Sequence, residues 1–577
     1  MAMRQKEKKY HQLYTEAGER LTKGKEQVWQ EHPRPQMKRE NWMSLNGEWE
    51  LDGEKILVPF SPQSVLSGYD RKVKKEFVYE KRFELPENLR GERLLLHFDG
   101  VDQIAEVVLN GQPLGSHEGG YLDFSFDVTE AIAKEGENLL LVKATDRLDQ
   151  TYPYGKQRKK RGGMWYTPFS GIWKSVWLEA VFKHYIEAMK MTPDLTGVFL
   201  ELSGEIDGFS VEAVLENGQK IVRNFEGKSG RLELSGILLE NGETYEPKLW
   251  TPEEPHLYPM TVIAGEDRVE TYFALRTIEI QKIDGTSRVC LNKEPVFLHG
   301  VLDQGYFPDG LVLPAEESEY ERDILRMKEL GFNLLRKHIK IEPEYFYYAC
   351  DRLGMLVMQD MVNSGPYHFI RETALPTIGF KKRRDPKGIR GKRRRFFEAH
   401  TEETVYRLYN HPSVIAYTIF NEGWGQFESD RFYDRVKELD PGRLVDATSG
   451  WFAQKKSDFD SEHIYFKAVP VTPKERPMLL SECGGYSLVT EGHRYNQDKV
   501  YGYGACEDFQ KLTEEILHLY DVMILPAVPG GMCGCIYTQL SDVEDEVNGL
   551  YTYDRKVCKV EKEKMRELAE KLRRSVK

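Results

Sequence analysis

Two short apolar runs, each ending at a glutamate, constrain this chain more than anything else in it. Ser413-Val-Ile-Ala-Tyr-Thr-Ile-Phe420 leads into Asn421-Glu422-Gly423-Trp424, and further along Pro477-Met-Leu-Leu480 leads into Ser481-Glu482-Cys483-Gly484-Gly485. Each run has the length of a buried strand, and glycine just beyond it marks a stop. An acid at the C-terminal end of a barrel strand stands where such barrels place their chemistry. Two of them can supply the carboxyl pair that glycoside hydrolysis requires.

The rest of the chain divides by period. From about residue 283 onward, helix-period and strand-length segments alternate. Glu316 to Leu330 sets Tyr320, Ile324 and Met327 on one helical face with Gly331 as a stop, and the strand-like Phe332-Asn-Leu-Leu-Arg336 follows. A helix over 343–353, a strand Met355-Leu-Val-Met358 and a helix over 397–409 then lead to the first glutamate strand. This alternation predicts a (β/α)8 TIM barrel over residues 283–577. Upstream all the signals are short strands. Arg93 to Phe98, Ile104 to Leu109 and Asn138 to Lys143, with turn signals at Asn110-Gly111 and Glu118-Gly119-Gly120, predict a β jelly-roll sandwich. It occupies residues 1–182 together with an N-terminal extension. Trp42, Leu45, Asn46-Gly47, Trp49 and Leu51 predict an opening hairpin there. Val198 to Leu202, Phe209 to Leu215, Met260 to Ile263 and Glu270 to Phe273 predict an immunoglobulin-like β-sandwich over residues 183–282.

Composition excludes several classes. A net charge of −12 over 577 residues gives no support to a nucleic-acid partner. Seven scattered cysteines, an odd number, read as reduced thiols, and the C-x-C of Cys533 and Cys535 is not metal-ligand spacing. Neither a metal nor a cofactor is expected. The basic start Met1-Ala-Met-Arg-Gln-Lys-Glu-Lys-Lys9 lacks an apolar core, and no run approaches the roughly 18 apolar residues of a membrane span. The expectation is a cytoplasmic protein without a membrane partner, with a homo-oligomer left open.

Specific phrases, in order, resemble glycoside hydrolase family 2, which includes β-galactosidases, β-glucuronidases and β-mannosidases. They are Leu109-Asn-Gly-Gln-Pro-Leu-Gly-Ser-His-Glu-Gly-Gly-Tyr121, Gly171-Ile-Trp-Lys-Ser-Val-Trp-Leu-Glu179, Leu249-Trp-Thr-Pro-Glu-Glu-Pro-His-Leu-Tyr258, Phe273-Ala-Leu-Arg-Thr-Ile-Glu279, Asn421-Glu422 and Ser481-Glu482. The resemblance covers essentially the whole chain. It implies a retaining exo-β-glycosidase acting on a β-linked oligosaccharide or glycoside, with Glu422 as general acid/base and Glu482 as nucleophile. It further implies that Asn421 hydrogen-bonds the sugar 2-hydroxyl and that Tyr465 hydrogen-bonds the nucleophile. The family's Arg-x-x-His is shortened here to Arg336-Lys337-His338, which offers His338 as a site residue. Asp303 and Asp360 follow strand-like runs and offer carboxylates for sugar hydroxyls, with a turn cap as the alternative for Asp303. Tyr537 stands where the family has a tryptophan platform, and Trp424 either lines the pocket or packs beneath it.

The sugar is read from Asp545-Glu-Val-Asn548-Gly-Leu550-Tyr-Thr-Tyr-Asp-Arg555, where family β-glucuronidases carry a carboxylate-reading Asn-x-Lys. Matching on Asn548 places Leu550 at the lysine, and matching on the following Gly-Leu-Tyr-Thr run places Asn548 there. Neither supplies a cation, so a neutral β-glycoside is expected, galactoside first, with glucuronide, mannoside or arabinoside as alternatives. From a different class, the alternative is a non-catalytic carbohydrate-binding protein on the same fold. The basic run at 381–395 is expected to be a solvated barrel loop, with a lid as the alternative.

Overall fold

Alternating burial along Glu137–Thr145 shows how the N-terminal region closes: Asn138, Leu140, Val142 and Ala144 are buried while their neighbours are only half so. This strand pairs antiparallel with Glu76–Glu84 and Ile104–Leu109 at the centre of a six-stranded sheet. A four-stranded sheet, in which Arg93–Phe98 pairs with Val176–Val181, faces it. Trp49, Tyr79, Leu96, Val107, Leu140 and Leu178 fill the space between. The computed structural model describes residues 10–576 except 25–27, 90–91, 240, 387 and 466, so the basic start at 1–9 and Lys387 of the basic run lie outside the described residues.

The expected opening hairpin is corrected. Trp42–Ser44 pairs with Val176–Val181 in one sheet, and Gly47–Leu51 pairs with Glu54–Val58 in the other. Asn46-Gly47 is therefore a crossing between layers: Asn46 Nδ2 donates to Trp29 O at 2.8 Å and to Ser175 Oγ at 3.1 Å. The hairpin turns instead at Asp52-Gly53, where φ is +48° and +83°.

Three strands (Ala188–Pro193, Gly197–Ser203, Ser229–Glu233) and four strands (Lys220–Glu226, Gly208–Val214, Tyr258–Ala264, Asp267–Phe273) make the second sandwich, around Met191, Leu200, Val211, Val262 and Phe273. Next comes an eight-stranded parallel barrel: β1 Leu298–Asp303, β2 Leu334–Lys337, β3 Leu356–Asp360, β4 Val414–Asn421, β5 Leu444–Ser449, β6 Asp460–Tyr465, β7 Met478–Gly484 and β8 Met532–Thr538. The hydrogen-bonded order runs β5-β4-β3-β2-β1-β8-β7-β6. β5 and β6 meet at the remaining seam, where Ser449 Oγ and His463 Nε2 are 2.9 Å apart. Inward positions such as Leu302, Leu334, Met358, Ile415, Leu479 and Ile536 fill the interior, and outward ones such as Val301, Leu335, Val357, Tyr417 and Leu480 pack on the surrounding helices. Among the described residues no helix is long and apolar enough to cross a membrane.

Candidate active site

Strand alternation carries Arg336 and Asp360 to the inward face near the C-terminal ends of β2 and β3, and register shifts in β4 and β7 let Asn421 and Glu482 join them from the ends of those strands. Arg336 is fully buried and binds in several directions. Nε and Nη2 donate to the two oxygens of Asp360 at 3.0 and 3.1 Å, and Nη1 donates to Glu482 Oε1 at 3.2 Å and Ser481 O at 2.8 Å. Nη2 also donates to Asn421 Oδ1 at 2.9 Å. A planar guanidinium holds several acceptors at once, which a lysine ammonium cannot do in the same geometry. Since arginine only donates, Asn421 presents its oxygen to Arg336 and keeps its amide nitrogen for another partner.

Glu482 is held from its other side by Tyr465, whose hydroxyl donates to Oε2. The same hydroxyl is 3.1 Å from Thr538 Oγ1, and the ring stacks on Tyr503 with centroids 4.3 Å apart. Burial alone would raise the Glu482 pKa. His463, Arg336 and the Tyr465 hydroxyl overcome it and hold the carboxyl well below the usual carboxylate range.

Glu422 is delivered differently. It follows the inward Asn421 in a left-handed turn, with φ +52° at Glu422 and +69° at Gly423. A left-handed glutamate is strained backbone of the kind that gathers at functional sites. Its N–H donates to Ser449 O at 3.0 Å, and Trp451 Nε1 donates to its carbonyl at 3.1 Å. Its Oε1 lies 2.9 Å from His463 Nδ1, which is also 3.6 Å from Glu482 Oε2. One oxygen of each carboxyl and this nitrogen all fall within 4.8 Å of one another. Three such atoms have the spacing of metal ligands. A cation placed there would compete with the Tyr465 proton and with the guanidinium that already offsets Glu482.

The structure sorts the remaining expected residues. His338 is on the floor, its Nδ1 2.7 Å from Asp360 Oδ2, and burial, aided by the charge of Lys156, lowers its pKa to about 4. Asp360 is also on the floor, where Arg336 holds both its oxygens and His338 shares one of them. Asp303 is corrected: it faces the helices, where Lys337 Nζ reaches Oδ2 at 2.5 Å and Oδ1 caps Gly305 N at 2.8 Å. Tyr537 is corrected too. It alternates with the inward Ile536 and Thr538, so its ring turns outward into the helix-facing core with Ile516 and Tyr520, against the backbone of Gly484. Trp424 packs rather than lines: Nε1 donates to Gly365 O at 2.9 Å, and Tyr154 and Trp165 meet its ring edge-on.

His463 was legible in the sequence and missed. It lies two residues from Tyr465 on the same strand, so period-2 alternation points both side chains the same way. Other wall residues come from afar. After Glu137–Thr145 the chain reaches over to the barrel, where Tyr154 N donates to Asn363 O at 3.0 Å and Tyr166 OH to Glu546 Oε2 at 2.5 Å. Gln539 Nε2 donates to the same oxygen at 2.9 Å. The basic run is solvated in part, with Lys382, Arg384, Arg390 and Arg395 exposed, and in part it packs on its neighbours. Arg383 Nη2 reaches Gly423 O at 3.3 Å, Arg393 Nη2 reaches Gly425 O at 2.5 Å and Lys381 pairs with Glu462 at 2.9 Å. Its last residues already belong to the helix Lys392–Leu408. The run therefore lies on the loop that carries Glu422.

Two β-sandwiches ahead of a parallel barrel, with two carboxyls converging at its C-terminal face, define a multidomain barrel protein of the carbohydrate-active type. Residues 62–172 match the glycosyl hydrolase 2 galactose-binding domain-like family, and residues 282–475 match the glycosyl hydrolases family 2 TIM barrel domain. The chain belongs to glycoside hydrolase family 2. A β-galactosidase of Thermoanaerobacter pseudethanolicus is 28% identical over 54% of this chain and 43% of its own length. A β-glucuronidase of Bacteroides fragilis is 24% identical over 83% of this chain and 73% of its own. A solved structure of a β-D-glucuronidase from Dictyoglomus thermophilum superposes with a TM-score of 0.73 at 18% identity, covering 93% of this chain and 98% of that one, a likeness of fold alone. The chain spans about half the length of several curated relatives that it matches.

Proposed function

We propose that this protein is a retaining exo-β-glycosidase acting on β-linked glycosides. The observation that carries the reading is the convergence of Glu422 and Glu482, whose oxygens share His463 Nδ1 within 4.8 Å. Retaining pairs need carboxyls about 5 Å apart, because the nucleophile must touch the anomeric carbon while the acid touches the bond's oxygen. Glu482, held ionised by Arg336 and Tyr465, attacks the anomeric carbon and forms a glycosyl-enzyme ester. Glu422 gives its proton to the departing oxygen, then takes one from the water that attacks the ester. Asn421, its oxygen fixed by Arg336, offers its N–H2 to the 2-hydroxyl. Walls contributed by the Tyr154–Tyr166 segment and the basic run favour a pocket that takes a chain end.

For the sugar we propose a neutral β-glycoside, galactoside first, since neither Asn548 nor Leu550 supplies the charge that a uronate needs. Glucuronide is the second reading, and the name of the Bacteroides fragilis relative favours it. A panel of nitrophenyl β-D-galactoside, glucuronide, mannoside, glucoside and α-L-arabinoside tests both. Highest kcat/KM on galactoside supports the first, highest on glucuronide replaces it with the second, and no turnover of any glycoside leaves a carbohydrate-binding protein.

A further inference from the structure

The cations on the barrel strand beside the nucleophile are committed. Arg336 is spent on Asp360, Glu482 and Asn421. Lys337 turns outward to Asp303 and Glu342, and Lys340 binds Glu342 at 2.7 Å. Lys156 has neither hydrogen bond nor ion pair among the described residues; its Nζ stands 5.9 Å from the Trp165 ring centre. The fold brings it to the site. Its carbonyl accepts from Tyr166 N at 3.1 Å, and the Tyr166 hydroxyl holds Glu546 Oε2. Gln539 holds that same oxygen, and the residue before it, Thr538, touches Tyr465 above the nucleophile. Glu546 Oε1 has no hydrogen bond among the described residues. Burial raises the Glu546 pKa and the charge of Lys156 opposes that rise; the same charge acts on His338, and Glu546 in turn feels Glu482.

Resting on the glycosidase reading above, we propose that Lys156 and Glu546, brought together from the N-terminal sandwich and the barrel, form the element that selects an uncharged sugar. The free ammonium donates to sugar hydroxyls and the free carboxylate oxygen accepts from them. Together they add no net charge, so an uncharged polyol is gripped at both ends. A uronate carboxylate in the same place would gain Lys156 and be repelled by Glu546 in a low-dielectric setting. The two residues therefore pull specificity in opposite directions, which a merely structural pair would not do.

The test is the ratio of kcat/KM on nitrophenyl β-D-glucuronide to that on nitrophenyl β-D-galactoside. Glu546→Gln, which keeps the hydrogen bonds and removes the charge, should raise this ratio about 10-fold or more, and Lys156→Met should lower it by a similar factor. Dissociation constants of D-glucuronate and D-galactose, measured by calorimetry on the same proteins, should move the same way and need no turnover. Lys156 is only half-buried, so its variant folds even where Glu546→Gln does not. A ratio unmoved by Lys156→Met, or moved in the same direction by both changes, overturns the proposal. The parent's own preference on the glycoside panel tests the sugar reading separately.

Discussion

Glu482 and Glu422 share one histidine nitrogen yet are held in opposite ways. Glu482 is gripped at both oxygens, by Arg336 at 3.2 Å and by the Tyr465 hydroxyl, within its strand at a shift in the pairing register. Among the described residues only His463 hydrogen-bonds the Glu422 carboxyl, and Glu422 stands past its strand's end on a strained left-handed residue. The first arrangement fixes both charge and position. The second holds the carboxyl by one contact while the backbone keeps it in reach. Two residues of one type thus stand in different surroundings, which suits the two tasks proposed for them.

The largest effect should come from breaking the gripped side. Glu482→Gln is expected to lower kcat by about 10⁴-fold or more, since no nucleophile remains to form the ester. Near-native turnover would end the assignment. Glu422→Ala should lower hydrolysis by about 10²–10⁴-fold, the usual worth of general acid/base help. Azide should restore part of the turnover of a nitrophenyl glycoside, which needs no acid and gains a nucleophile that needs no base. Tyr465→Phe removes one hydrogen bond to a charge, about 1.5–3 kcal/mol, so kcat should fall about 10–150-fold with a smaller change in KM.

The smallest effect sharpens the comparison through pH. The depressed Glu482 pKa means that its ionised form persists as pH falls, and the stability it contributes is lost only as pH drops through that lowered value. The rate constant for alkylation of Glu482 by a 2-fluoro glycosyl fluoride should therefore stay level from about pH 6 to about pH 4, where an ordinary glutamate is already half-protonated. A decline centred near pH 4.5 would show that His463, Arg336 and Tyr465 do not set this charge.

Much of this contrast was legible in the chain. The alternation of helix and strand after residue 283 and the apolar runs before Glu422 and Glu482 are local patterns, and they recur as β4 and β7. Asn46-Gly47 misled because a turn signal does not say whether its two strands join one sheet or cross between two. Tyr537 and Asp303 misled because proximity to a strand's end was taken for orientation; Ile536 and Thr538 point inward, so Tyr537 cannot. Lys156 could not be read at all. It lies nearly 400 residues before Glu546 in sequence, and only the docking of the N-terminal sandwich on the barrel unites them.

The most direct test of the central claim is the site of covalent capture. Incubation with a 2-deoxy-2-fluoro-β-galactosyl fluoride, or that of whichever sugar the panel favours, should stall the ester, and peptide mass analysis should find the fluorosugar on Glu482. A label on Glu422, or full inactivation with the label elsewhere, would contradict the account.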